Sequence, residues 1–212
     1  MTPVELMALA ASTSLLAGWR LYLVTLVTGL AMKFGYIAMP GNLHGLDILA
    51  NNWIIGIAAV GTFMEFFADK IAWVDSAWDS IHSFIRPVGG ALLSAAIVDS
   101  ADPTWQVASF LLGGGLSAMA HAGKAGARAM INMSPEPVSN IIASTTEDVV
   151  TGGLLALAIA YPVAAALIAL ILVVLSIWLV VVAKRAIKSF VEAMTPPPAP
   201  KPMKDVTPPP SI

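Results

Sequence analysis

From Val149 to Ala183 the chain runs 35 residues without a charged side chain. A helix that is apolar on every side needs an apolar solvent, and one membrane crossing takes about 20 such residues. Thirty-five are too many for one crossing, and Pro162 divides them into two. Upstream, Leu6–Met32 is a further span interrupted by Arg20, and Trp53–Trp73 is another, with Glu65 and Asp69 near its end. Ser83–Val98 is apolar but short, so its helix is expected to begin earlier, at Asp75 or Ser76. Thr104–Asn132 starts apolar and ends cationic, and at about 1.5 Å per residue it outruns a bilayer core. The fold class is therefore all-α, a polytopic integral membrane protein of about six transmembrane or partly spanning helices.

Composition agrees with this. The chain is 58% hydrophobic with a mean hydropathy of +0.82, and 11 basic and 13 acidic residues could not clothe a soluble domain of 212 residues. Without cysteine there are no disulfides, thiolate metal sites or cysteine nucleophiles. A net charge of −2 gives no electrostatic reason to bind nucleic acid. The N-terminal stretch lacks the basic start of a signal peptide and is read as a retained helix. Residues 1–194 form the membrane domain, and 195–212, rich in proline, are expected to be an extended disordered tail. Lys184, Arg185 and Lys188 after the last span put the C-terminus in the cytoplasm, as in a bacterial inner membrane. With six spans the N-terminus lies on the same side.

The ionisable residues are ordered. Asp75, Asp79, His82 and Arg86 fall at i, i+4, i+7 and i+11, within an arc of about 60° on a helical wheel. Ser76 and Asp79 have the spacing of a capping box, which would start the helix there. His121, Lys124, Arg128 and Asn132 share one face of the fourth helix, and Glu65 and Asp69 are an acidic i, i+4 pair on the second. Ser134 to Pro137 is a helix-start signature. Aligning GGALLSAAI (89–97) with GGLLALAIA (152–160) gives a weak internal repeat at an offset of 63, which sets Glu65 against Arg128 and Asp69 against Asn132.

The stretches EFFADKIAWVDSAWDSIHSFIRPVGGALL (65–93) and HAGKAGARAMINMSPEPVSNIIASTTED (121–148) resemble a family of small polytopic bacterial and plastid membrane proteins, catalogued as a domain of unknown function. The match is carried by Glu65, Asp69, Lys70, Asp75, Trp78, Asp79, His82, Arg86 and Pro87 and covers roughly residues 8–185. Ala72 stands where the family often has proline. The resemblance implies a multi-span fold and brings no activity.

Each polar group has two readings. The Asp75/Asp79/His82/Arg86 stripe is a proton- or ion-handling site, or the solvated face of a membrane-surface helix. His121, Lys124 and Arg128 form a pocket for an anion or lipid headgroup, or they are positive-inside charges that complement a helix C-terminus. Glu65 pairs with Arg128 or Lys124, or meets a transported cation. Arg20 must face the interior, to hold an anionic solute or to neutralise an acid such as Glu65. Asp75, Asp79 and His82, with Glu65 or His121, could ligate a metal, although no recognised metal motif occurs. Gly113–Gly115 and Gly123-x-x-Gly126 read as close-packing sites. No cofactor loop is present. The leading expectation is a small transporter or channel for protons, cations or a small anion. A lipid-binding scaffold and an intramembrane metal-dependent enzyme are the alternatives. Membrane lipids are the expected surroundings, and so small a bundle favours a homo-oligomer.

Overall fold

The computed structural model describes residues 2–36, 44–98, 102–132 and 137–194. The turn expected at Pro40-Gly41, the Ser134 cap and the proline-rich tail lie outside the described residues. Six α-helices account for the fold: α1 (Pro3–Lys33), α2 (Asn52–Ala68), α3 (Ala72–Val98), α4 (Pro103–Ile131), α5 (Pro137–Ala160) and α6 (Pro162–Met194). A 3-10 segment, His44–Ala50, precedes α2. By length and composition Val4–Lys33, Trp73–Val98, Val138–Ala160 and Pro162–Met194 can each cross a membrane, while the apolar α2, at 17 residues, is short for a full crossing.

The helix starts follow from local chemistry. The Thr2 hydroxyl accepts from the Glu5 amide, and the Glu5 carboxylate accepts from the Thr2 amide, with Pro3 opening the first turn. Asn51 and Asp102 cap α2 and α4, accepting from the amides of Trp53 and Thr104 at 2.8 Å each. Two boundaries differ from expectation. The second helix ends at Ala68 rather than Trp73, because Asp69 to Ile71 form a tight turn in which the Lys70 and Ile71 amides donate to the carbonyls of Phe67 and Ala68. The third helix therefore begins at Ala72, ahead of the Ser76 capping box, and the Asp75 amide already donates to the Ile71 carbonyl.

The larger correction concerns α1. Its backbone leaves helical geometry at Arg20 (φ −142°, ψ 72°). Before the break, Ser14 bonds the Gly90 carbonyl, Gly18 abuts the Ser117 carbonyl and Ala120, and the Trp19 carbonyl accepts from Lys124. This limb advances in the same sense as α4. After the break, Leu21 packs on Gly89, Gly29 on the Leu49 carbonyl, and Gly45 beside it on Ala96. That limb advances with α3, which runs opposite to α4: Gly90 meets Ser117, and Ser94 meets Gly113. The two limbs thus enter and return at one end of the bundle, with Arg20 at the apex. The even number of crossings that put both termini on one side does not hold. The first limb shares its sense with α6, in which Ser176 and Ala183 follow Gly123 and Gly126 of α4, so the start of α1 and the end of α6 lie at opposite ends.

The helix boundaries keep the offset of 63 at one corner and not at the other. Ala68 and Ile131 end α2 and α4 at the offset the glycine runs set, but α5 starts two residues late. Counted from their helix starts, Asp75, Asp79, His82 and Arg86 of α3 correspond to Asn140, Ser144, Glu147 and Thr151 of α5.

Inside the bundle an apolar core that includes Leu9, Leu16, Val24, Leu93, Ile97 and Leu155 adjoins the buried charged groups, and the outer surface is apolar. Asp75 and Arg86 are 0% exposed, whereas Leu170 and Val174 of α6 are each 62% exposed, as lipid requires of the surface it solvates. Small residues permit the close crossings. Gly113, Gly114, Gly123 and Gly126 touch neighbouring helices as expected, and Gly115 touches none. A methyl group at Gly18 would collide with the Ser117 backbone carbonyl. Gly18→Ala is expected to destabilise the protein by about 1–3 kcal/mol. Gly115→Ala, facing open space, should leave the melting temperature in detergent unchanged.

Candidate functional site

All ten expected site residues are buried and lie in the half of the bundle that holds the α2–α3 and α4–α5 corners: Arg20, Glu65, Asp69, Asp75, Asp79, His82, Arg86, His121, Lys124 and Arg128. The polar stripe of α3 is therefore not the solvated face of a surface helix. It points inward, opposite the stripe of α4, because α3 and α4 pair along their lengths.

Two hubs organise the charges. Asp69, at the tip of the α2–α3 corner, is paired by Arg20, by Lys124 at 3.1 Å and by Arg128 at 3.7 Å. Burial alone would push its carboxyl upward. Lys124, Arg20 and Arg128 overcome that and hold it at about 2. Arg86 is the second hub. Its guanidinium donates to Glu65 at 2.6 Å, to Asp79 at 2.9 Å and to Nδ1 of His121 at 2.6 Å. Glu65 is thus neutralised by the next helix rather than by Arg128 or Lys124. Arg128 instead holds Glu147 through two nitrogens, at 3.2 and 3.0 Å, and the Asn140 side chain at 2.6 Å. Arg20 does not reach Glu65. Besides Asp69 it pairs with Glu147 at 3.3 Å and Asp148 at 3.0 Å, and donates to the Ser144 carbonyl.

The histidine tautomers follow from their partners. Nδ1 of His121 accepts from Arg86, so its proton sits on Nε2, which donates to Ser83 at 3.0 Å. Ser83 in turn donates to the Asp79 carbonyl. Nδ1 of His82 donates to the Trp78 carbonyl at 2.7 Å, and Nε2 shares a hydrogen bond with the Tyr22 hydroxyl at 3.0 Å. Asp75 differs from the other acids. Its neighbour is the Asn132 amide at 3.3 Å, and no ion pair reaches it among the described residues.

This network occupies the elements that carry the resemblance, and a family model matches the same region. The chain belongs to the DUF4126 family. The family's model, Domain of unknown function (DUF4126), covers residues 7–182, from the first limb of α1 into α6. No curated protein and no solved structure matches the chain.

Within the DUF4126 region, sequence reasoning missed Glu147, Asp148, Asn140 and Ser144 on α5 and Tyr22 on α1. The α5 group had a signal. Asn140, Ser144, Glu147 and Thr151 repeat the i, i+4, i+7, i+11 spacing of α3, but only one of the four is charged. Tyr22 had none. His121, Lys124 and Arg128 face carboxylates rather than an open headgroup surface. Among the described residues no three His, Asp or Glu side chains are arranged to hold a metal ion. Of the expected carboxylate ligands, Glu65 and Asp79 are turned toward Arg86 instead.

Two outcomes follow. Arg86→Leu strands Glu65 and Asp79 without a counter-charge and should cost about 3–5 kcal/mol, read as a fall in the unfolding midpoint in detergent. Asp69, held below its usual value of 3.8, contributes stability above that value and loses it as pH falls toward 2. Acid titration of the melting temperature should therefore show a loss between pH 4 and 2 that is smaller in Asp69→Asn.

Proposed function

We propose that this protein is a small proton- or cation-coupled transporter of a bacterial inner membrane, with the C-terminus in the cytoplasm, where Lys184, Arg185 and Lys188 would lie. The observation that carries the reading is the break in α1. Irregular backbone at membrane depth is tolerated only where protein or a water-filled cavity surrounds it, and discontinuous helices are where transporters build their ion sites. Here the apex residue, Arg20, meets the charged network directly.

The charge balance favours a cationic passenger. Six carboxylates (Glu65, Asp69, Asp75, Asp79, Glu147 and Asp148) face five cations (Arg20, Lys70, Arg86, Lys124 and Arg128) across the described residues of the cluster. His121 is uncharged because its Nδ1 accepts from Arg86, and with His82 neutral as well the cluster is one positive charge short. A proton or monovalent cation makes up that difference, and Asp75 is the acid left without an ion pair. In this arrangement the network is a closed, internally paired state. Opening it exchanges protein ion pairs for a passenger, with the two corners and the α1 apex as the parts that separate.

The test is flux into proteoliposomes under imposed proton, sodium and potassium gradients. Wild type should move at least one of these ions. Glu65→Gln and His82→Ala should each slow the movement by about tenfold or more, a barrier change of about 1.4 kcal/mol. Monodisperse elution must show that both variants still assemble. A wild type that moves no ion in any gradient, or variants with undiminished flux, overturns the proposal.

A further inference from the structure

A second feature lies on the other side of Tyr22 from the charges. Between α2 and α3 a cleft of about 440 Å³ opens on the outer surface of the bundle. Its walls are Ala58 on α2 and Leu92 and Ala96 on α3, its back is Leu21 and Tyr22 of α1, and Leu49 of the 3-10 segment closes one end. The cleft exists because α1 wedges these helices apart. The Tyr22 ring presses on Gly61 of α2 and the Leu21 methyls on Gly89 of α3, leaving space between Ala58 and Leu92.

Two properties identify the occupant. The polar groups of the wall are already satisfied: the Tyr22 hydroxyl bonds His82, and the Thr25 hydroxyl donates to the Leu21 carbonyl at 2.8 Å. An occupant is therefore offered no hydrogen bond and is held by dispersion and apolar burial alone. The mouth is rimmed by Ile48, Ile57 and Leu92, which are 64%, 61% and 58% exposed, so it opens to the hydrocarbon of the bilayer. One turn beyond the closed end, Lys33 at the end of α1 bonds Asn52 at the start of α2, which puts a cation at the membrane interface above the cleft. We infer that the α2–α3 cleft binds one acyl chain of a membrane phospholipid, with the phosphate toward Lys33 and the chain lying along Tyr22. Because Tyr22 also bonds His82, the bound chain sits one side chain away from the ionic network.

The test uses the full chain in vesicles of phosphatidylcholine carrying a photoactivatable diazirine in mid-chain. Adducts should concentrate on peptides spanning Asn52–Ala68 and Gly89–Val98. They should fall at least fivefold in Ala58→Phe and Ala96→Phe, each of which fills the cleft from one wall, with elution and melting temperature showing which of the two is folded. A diazirine-bearing long-chain alcohol, which lacks phosphate, should label less than the phospholipid. Labelling spread evenly over exposed α6 residues such as Leu170 and Ile171, unchanged labelling in a folded cleft-filling variant, or equal labelling by the alcohol overturns the assignment.

Discussion

The pairing of Asp69 is the interaction on which the rest of the structure depends. A carboxylate with no exposed surface, inside a bundle whose outer solvent is lipid, is tolerated only if cations reach it. Three do, and each is delivered by a different feature of the fold. Arg20 comes from the apex of a broken helix, Lys124 from the inward stripe of α4, and Arg128 from one turn nearer the α4–α5 corner. The α2–α3 turn must be tight to keep Asp69 at its tip, and the first limb of α1 must cross α4 closely enough for Arg20 to arrive. Gly18 allows that crossing. The helix break and the short corner are thus two parts of one electrostatic solution.

The same cations reach further. Glu147 is shared by Arg20, Lys124 and Arg128, so α5 is tied to α1 and α4 through a single side chain. Arg86 connects α2, α3 and α4 through Glu65, Asp79 and His121. Lys124 joins the two hubs, lying 3.1 Å from Asp69 and 3.8 Å from Asp79. A substitution at one position is therefore felt on several helices, and charge deletions in this cluster will not add independently.

How far the sequence led can be judged from particular residues. Helical spacing correctly put Asp75, Asp79, His82 and Arg86 on one face and His121, Lys124 and Arg128 on another, because a 3.6-residue period is local information. Which acid meets which cation was not local. Glu65 meets Arg86 on the next helix rather than Arg128 or Lys124, the protein partners expected for it. The break at Arg20 carries neither proline nor an adjacent glycine, and its cause is tertiary: the Trp19 carbonyl finds Lys124 and the guanidinium finds three acids. On α5 the polar positions were under-read because Asn140, Ser144 and Thr151 are uncharged, although their spacing matches α3 residue for residue.

That match also bears on what the network is for. Replacing buried ion pairs with well-packed apolar side chains is often neutral or stabilising, so stability alone does not explain so many charges in a lipid-solvated bundle. A purely structural latch would also be expected to pair its charges, whereas among the described residues six carboxylates lie beside five Lys and Arg side chains and Asp75 is outside the ion pairs. The two stripes nonetheless differ in how many ionisable groups they carry. On α3 the stripe carries two acids, an imidazole and a guanidinium, while its counterpart on α5 carries an amide, two hydroxyls and one acid. On the transport reading proposed above, the stripe of α3, which carries more ionisable groups and lies near the break in α1, is the one whose charge state would change.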